Sequence, residues 1–307
     1  MKNVSIKEII IDICIATFRR PELLKILLES ILVQNVDSNI KFRIVVVDND
    51  KNKSAKYVID LIKYNSPIEI IYDVEPIQNI ALVRNRAVSL SKGKYVIFID
   101  DDEIAEQNWL QNIINCALEY NADVVFAPVI PSFPINTSKW IIKGKFFERK
   151  RYANGTIINH GGTGNTLVDR DLFIKHKFLF DKNYGLTGGE DTALFQKIKK
   201  RGFKLIWCDD AIVTEVITPN RLTEKWILSR AFRGGQTFAR VYVPEMSFLS
   251  KIHWFARRLI FILTCMLFLP ISWLGGYPLM LRCLQKLASN TGQIMGLFNW
   301  HYQEYKL

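Results

Sequence analysis

Unbroken apolar runs alternate with helix-period segments along the first 130 residues. "IIIDICIA" (9–16), "FRIVVVD" (42–48), "IEIIYD" (68–73), "KYVIFID" (94–100) and "ADVVFAPV" (122–129) are rich in β-branched residues and read as strands. Between the first two, "PELLKILLESILVQ" (21–34) spaces its leucines and isoleucines as one helical face, with Pro21 in the first turn. Further helices are predicted over 54–64, over 79–91 with a stop near Gly93, and over 106–120. Strands that are apolar throughout, rather than at alternate positions, belong to a sheet covered on both faces. The pattern therefore predicts an α/β fold with a mostly parallel sheet.

Residues 131–165 break this rhythm, with Pro131, Pro134, an aromatic group (Trp140, Phe146, Phe147) and a basic cluster (Lys143, Lys145, Arg149, Lys150, Arg151) before "HGGTGN". A connection this long and irregular is commonly functional or mobile. A short helix (170–176), the turn "GLTGGED" (185–191), a helix (191–201) and the strand "FKLIWC" (203–208) follow. "LIFILTCMLFLPISWLGGYPLML" (259–281) then runs 23 residues without a charge, long enough to span a bilayer. Pro270, Gly275, Gly276 and Pro278 interrupt it, so a span, a re-entrant hairpin, an in-plane pair of short helices and a buried core hairpin all stay open. The expected division is a globular part over 1–245, with halves 1–130 and 131–245, and a basic, apolar tail over 246–307.

The composition, 49% hydrophobic and 23% charged over 307 residues, supports a full core rather than a disordered chain. A formal charge of +11 invites a nucleic-acid reading, but its distribution does not support one. The tail holds Lys251, Arg257, Arg258, Arg282, Lys286 and Lys306 against Glu304 alone, beside the most apolar stretch of the chain. Basic residues next to apolar surface suit an anionic membrane, and no nucleic-acid partner is expected. The five cysteines form no CxxC pair and read as buried free thiols in a reducing compartment. The short run "EIIIDICIAT" contains Asp12 and lacks a cleavage site, so it is no signal peptide and the chain is expected to stay in the cytoplasm.

Three polar groups fall at predicted strand ends: Thr17, Asp48 and the triplet Asp100, Asp101, Asp102. Ligands of open α/β sheets bind at that edge. Neighbouring carboxylates about 4 Å apart repel by roughly 4 kcal/mol at an effective dielectric near 20. A solvated helix-capping turn is one explanation for the triplet. The other is a hard divalent cation, Mg²⁺ or Mn²⁺, held by one or two carboxylates together with substrate phosphates. Zinc is not expected, because His and Cys do not cluster here. Absence of GxxxxGK[ST] argues against a P-loop, and absence of GxGxxG after the first strand argues against a dinucleotide dehydrogenase.

"DICIATFRRPELLKILLESIL", "VVVDND", "ALVRNRAV", "YVIFIDDDE" and "GGEDTALFQKIKKRGF" occur in the order and near the spacing of family-two glycosyltransferases, which the chain resembles over residues 9–240. The later "RLTEKWILSRAFRGGQTFAR" and apolar tail resemble bacterial members that build exopolysaccharide or other surface glycans on a lipid carrier. The resemblance implies the GT-A fold, a catalytic domain over 1–245 (nucleotide-binding half 1–130, acceptor half 131–245), and a nucleotide-diphosphate sugar donor, with UDP expected. Carried over residue by residue, Thr17 and Asp48 would line the base and ribose pocket, Arg19 would lie near base or phosphates, and Arg84 would reach the nucleotide. Asp100 would contact ribose or metal, and Asp102 would be the metal ligand. Asp101 would serve the donor as the member whose loss matters least. Asp191 would be the catalytic base with Glu190 beside it, and Gly162, Thr163, Gly164 and Asn165 would form the loop near donor sugar and acceptor. Family members often carry a metal-binding His after the last core strand; here the chain reads "VTEVI", with Glu215 as a substitute.

The implied reaction is inverting transfer to a lipid-linked or surface-glycan hydroxyl, at the cytoplasmic face of a bacterial inner membrane. Its rivals are a catalytically silent glycan-assembly subunit and a nucleotidyltransferase. The second usually needs a Lys-bearing phosphate loop, which "TFRRPE" is not. Arg221, Arg230 and Arg233 are equally well read as phosphate binders or as helix-surface pairs. His160 and Trp109 read as structural.

Overall fold

A computed structural model describes residues 8–298 as two compact units, one of residues up to 130 with 149–186 and 190–216, the other of 131–148, 187–189 and 217–298. The first unit opens with β1 (Ile9–Thr17), α1 (Pro21–Leu32), β2 (Ile40–Asp48), α2 (Lys56–Asn65), β3 (Ile70–Val74), α3 (Ile80–Leu90) and β4 (Tyr95–Asp100). This is the predicted alternation, with boundaries moved by no more than two residues. After it come β5 (Glu103–Ala105), α4 (Trp109–Glu119) and β6 (Val124–Phe126), and β7 (Val129–Ser132) leads the chain out. The short α5 (Lys139–Gly144) lies in the second unit. The chain returns through β8 (Thr166–Asp169), α6 (Asp171–Ile174), α7 (Glu190–Lys200), β9 (Leu205–Trp207) and β10 (Val213–Val216).

The main sheet runs β3-β2-β1-β4-β8-β6-β9. Neighbours are parallel except at β8, which is antiparallel to both β4 and β6. The expected mostly parallel α/β sheet is therefore present, with one strand that the apolar pattern did not reveal. β8 is only four residues long and inserts between β4 and β6. Two apolar layers, one on each face, explain the continuous hydrophobic runs: Ile11, Ile13 and Ile15 pack with α1 and α4 on one side, and Cys14, Val96 and Phe98 with α3 and α7 on the other. The register sets Thr17 beside Asp48 and Ala16 beside Asp100, so the carboxyl ends of β2, β1 and β4 meet at one edge. Strand order reverses between β1 and β4, which is where open α/β sheets take ligands. β5 and β10 pair antiparallel, with Glu103 opposite Glu215.

In the second unit, α8 (Glu224–Tyr242), α9 (Phe248–Leu274) and α10 (Tyr277–Met295) account for most of the chain. The sequence division at residue 245 is not where the compact units part, because α8 packs with the tail. Gly235 of α8 lies against the Ser289 carbonyl of α10, and Gly292 of α10 against the Phe232 carbonyl, so a Cβ at either glycine would strike backbone. α9 and α10 form a helical hairpin whose turn is Gly275–Gly276, with Gly276 at φ 93°, where a side chain would be strained. The apolar stretch 259–281 is thus divided between two helices, and α9 continues past Pro270 to Leu274. Among the described residues α9 alone is long and apolar enough to cross a membrane, and little of its apolar stretch is buried. Residues 299–307 of the expected tail lie outside the described residues. The five cysteines are free, four of them buried, as expected.

Candidate active site

The sequence-predicted residues converge on the sheet edge of the first unit. α3 brings Arg84 in from the side. Its guanidinium donates to Glu190 Oε1 and lies 3.3 Å from Asp100 Oδ1, joining the end of β4 to the start of α7. Arg84 is held there by its neighbour Asn85, which exchanges two hydrogen bonds with the Phe180 backbone. Glu190 is buried, its Oε2 accepts no hydrogen bond, and burial with the adjacent Asp191 charge pushes its carboxyl up to about 7 against the pull of Arg84. Asp191 is partly open. Its Oδ1 accepts the Thr192 amide at 2.6 Å, and a Cβ added at Gly162 would lie 2.9 Å from its Oδ2.

Gly164, two residues along the same loop, makes the matching approach at the other end. A Cβ there would lie 2.8 Å from Glu103 Oε1 and 3.3 Å from Asp100 Oδ2. Two extended residues span roughly 7 Å, so the loop lies over Asp191 and over the β4 carboxylates at once. Both glycines leave carboxylate oxygens uncovered. Thr163 and Asn165, on the same loop, are both buried. The Asn165 amide donates to the Pro128 and Ala211 carbonyls at 2.8 and 2.7 Å, and its Oδ1 accepts from Trp109 Nε1 at 2.7 Å. Asn165 thus anchors the loop to Pro128, Ala211 and Trp109. Trp109 is core, as expected, with its indole N–H assigned to that anchor.

The aspartate triplet divides differently from the sequence expectation. Asp101, the member expected to matter least, is firmly tied: buried, accepting Thr17 Oγ1 at 2.8 Å and Arg20 Nη1 at 3.1 Å. Burial pushes its carboxyl up to about 6, with Arg20 opposing and Asp102 adding repulsion. Asp102 is also buried and meets the same Arg20 nitrogen at 3.1 Å. Asp100 has the open side chain, 44% exposed. Thr17 donates its hydroxyl hydrogen to Asp101 at the end of β1. Asp48 is fully buried, with its oxygens accepting the Asp50 and Ala55 amides and the Tyr72 hydroxyl. Arg19, at φ 53°, turns to Asp50 at 3.3 Å.

Two residues of the site went unseen in the sequence. Arg20 was hidden behind Arg19, since adjacent arginines look alike until the backbone turns one away. Glu103 is buried, with its Oε2 accepting the Asp100 amide at 3.0 Å; burial, and then the Asp100 charge, hold its carboxyl well above the usual range. Glu215, the substitute considered for a metal-binding His, pairs with Arg149 at 2.7 Å across from Glu103.

Among the described residues no three His, Cys, Asp or Glu side chains converge as a ready cation cage. The donor set still fits Mg²⁺ or Mn²⁺: Asp100 and Asp102 offer hard oxygens, Gly164 leaves space beside Asp100, and such ions usually take their remaining ligands from phosphate and water.

Residues 12–177 match the family described as "Glycosyl transferase family 2". The chain is 33% identical over 236 residues to the succinoglycan biosynthesis protein ExoM of Rhizobium meliloti (strain 1021), covering 76% of each. The mannosyltransferase PcManGT from Pyrobaculum calidifontis, solved with GDP-Man and Mn²⁺, is similar in fold with a TM-score of 0.61 at 15% identity, over 98% of this chain and 78% of that one. S. aureus TarS 1–349, solved with UDP-GlcNAc, gives a TM-score of 0.52 at 14% identity over 95% and 93%. Fold and family agree: the chain has a GT-A fold and belongs to glycosyl transferase family 2.

Proposed function

We propose that the chain transfers a sugar, with inversion, from a UDP-sugar to a hydroxyl of a surface-glycan acceptor carried on a lipid. The loop that spans Asp191 at Gly162 and Asp100 at Gly164 carries this reading, because it puts a proton acceptor and a nucleotide-facing carboxylate over one space. Asp191 Oδ2 accepts the proton of the acceptor hydroxyl as that oxygen attacks the anomeric carbon. The bond to the diphosphate breaks with its electron pair leaving on UDP, so attack from the opposite face inverts the centre. Glu190, paired with Arg84, positions Asp191 at the start of α7, and the Arg84 charge also serves the nucleotide. Asp102 and Asp100 would hold the divalent cation, which when bound supplies positive charge to the departing diphosphate. Polysaccharide assembly as the setting is supported by the likeness to ExoM. The exposed apolar surface of α9, with Lys251, Arg257 and Arg258 near its start, supports association with the cytoplasmic face of a membrane.

A nucleotide panel tests this. UDP with Mn²⁺ or Mg²⁺ is expected to raise the unfolding temperature, less so after chelation of the cation. No shift with any nucleoside diphosphate would contradict the donor site.

A further inference from the structure

The Asp101–Asp102 pair already has a cation, and it belongs to the chain. Arg20 Nη1 is 3.1 Å from Asp101 Oδ1 and 3.1 Å from Asp102 Oδ2, so one nitrogen serves both carboxylates. Both carboxylates are buried, whereas the Arg20 side chain is 43% exposed and reaches them from the start of α1 on a flexible stem. Thr17 fixes Asp101 independently, so Asp101 keeps a partner if Arg20 leaves. Arg19 does not duplicate the role, because it is turned to Asp50. A guanidinium and a divalent ion repel, and both need the Asp102 oxygens at contact distance.

We propose that Arg20 is a built-in counter-ion that competes with the divalent cation for Asp102 and moves to the donor's diphosphate when cation and nucleotide bind together. The inference rests on Asp102 being a metal ligand, as proposed above. Without a nucleotide, an incoming ion displaces Arg20 and meets its repulsion. With a nucleoside diphosphate present, the displaced guanidinium gains phosphate oxygens, for which its planar fork is suited. Cation and nucleotide then strengthen each other's binding, and much of that coupling runs through Arg20.

The test is Mn²⁺ titration followed by water-proton relaxation, on the full-length chain, with and without UDP. Arg20→Gln is expected to bind Mn²⁺ alone about tenfold more tightly than the wild type, and to lose most of the tightening that UDP gives the wild type, within the ordinary range of such couplings. Arg20→Met, which keeps the stem without the charge, repeats the test if the Gln variant does not fold. Equal Mn²⁺ affinity in wild type and both variants, or weaker affinity in the variants, overturns the proposal. Asp102→Asn in the Arg20→Gln background separates the two levels. If it abolishes Mn²⁺ binding, the ion sits on Asp102 as required; if the gained affinity survives, the ion sits elsewhere and the metal assignment itself fails. Absence of Mn²⁺ binding in every variant while UDP still binds removes the metal reading and this inference with it, but leaves the donor site standing.

Discussion

Asp191→Asn is expected to lower sugar transfer by about 10²–10⁴-fold, the usual contribution of a positioned general base. UDP binding and the unfolding temperature should stay near those of the wild type. Asparagine keeps the Oδ1 that accepts the Thr192 amide, so the first turn of α7 is retained. What it loses is the anionic oxygen beneath Gly162, where a proton has to arrive. Transfer that stays within about tenfold of wild type would move the base elsewhere. Glu190 would then be the next candidate, since its orphaned Oε2 and raised pKa also equip it to take a proton.

Arg84→Met should have the largest effect on stability, a loss of about 3–5 kcal/mol in the first unit, because it strands Glu190 without its counter-charge. Arg84 and Glu190 side chains are 9% and 3% exposed, so solvent cannot take over that role. The loss should depend on pH. Glu190 rises from 4.5 to about 7 on folding, so the folded chain keeps a proton that the unfolded chain releases. Its contribution is fully present below 4.5 and is lost as pH rises through about 7. Arg84 is the group that restrains this shift, so its removal should hurt most above pH 7. The double variant Arg84→Met, Glu190→Gln should recover most of the loss and flatten the pH dependence. Denaturant unfolding of wild type, single and double variants at pH 5 and pH 8 measures both effects. A single variant as stable as wild type at pH 8 would show that the pair does not hold the site together.

Much of this was legible in the chain. The strands of the first half announce themselves because two apolar layers demand continuous hydrophobic runs, and the helices because one face of each is buried. β8 did not, since four residues between a loop and a short helix carry no period. The site was legible in residue types and less so in roles. Glu190 and Arg84 pair beside Asp100, and Gly162 and Gly164 lie close to Asp191 and Asp100. The intramolecular partners of Thr17, Asp48, Asp101 and Asn165 could not be read from sequence, because only the folded backbone shows which amides, hydroxyls and carbonyls come within reach. The aspartate repulsion is partly met within the chain, because Arg20 pairs with both Asp101 and Asp102. Glu103 and Glu215 could be placed opposite each other only once β5 and β10 were paired, since more than a hundred residues separate them in the chain.

The central claim is a single displacement at the first unit's sheet edge with Asp191 as base, and its stereochemistry can be read without knowing the acceptor. Incubated with an α-linked UDP-sugar alone, the enzyme should hydrolyse it slowly, with water in the acceptor's place. Proton NMR of the first sugar released, recorded before mutarotation, is expected to show the β-anomer. Initial release of the α-anomer would contradict the mechanism.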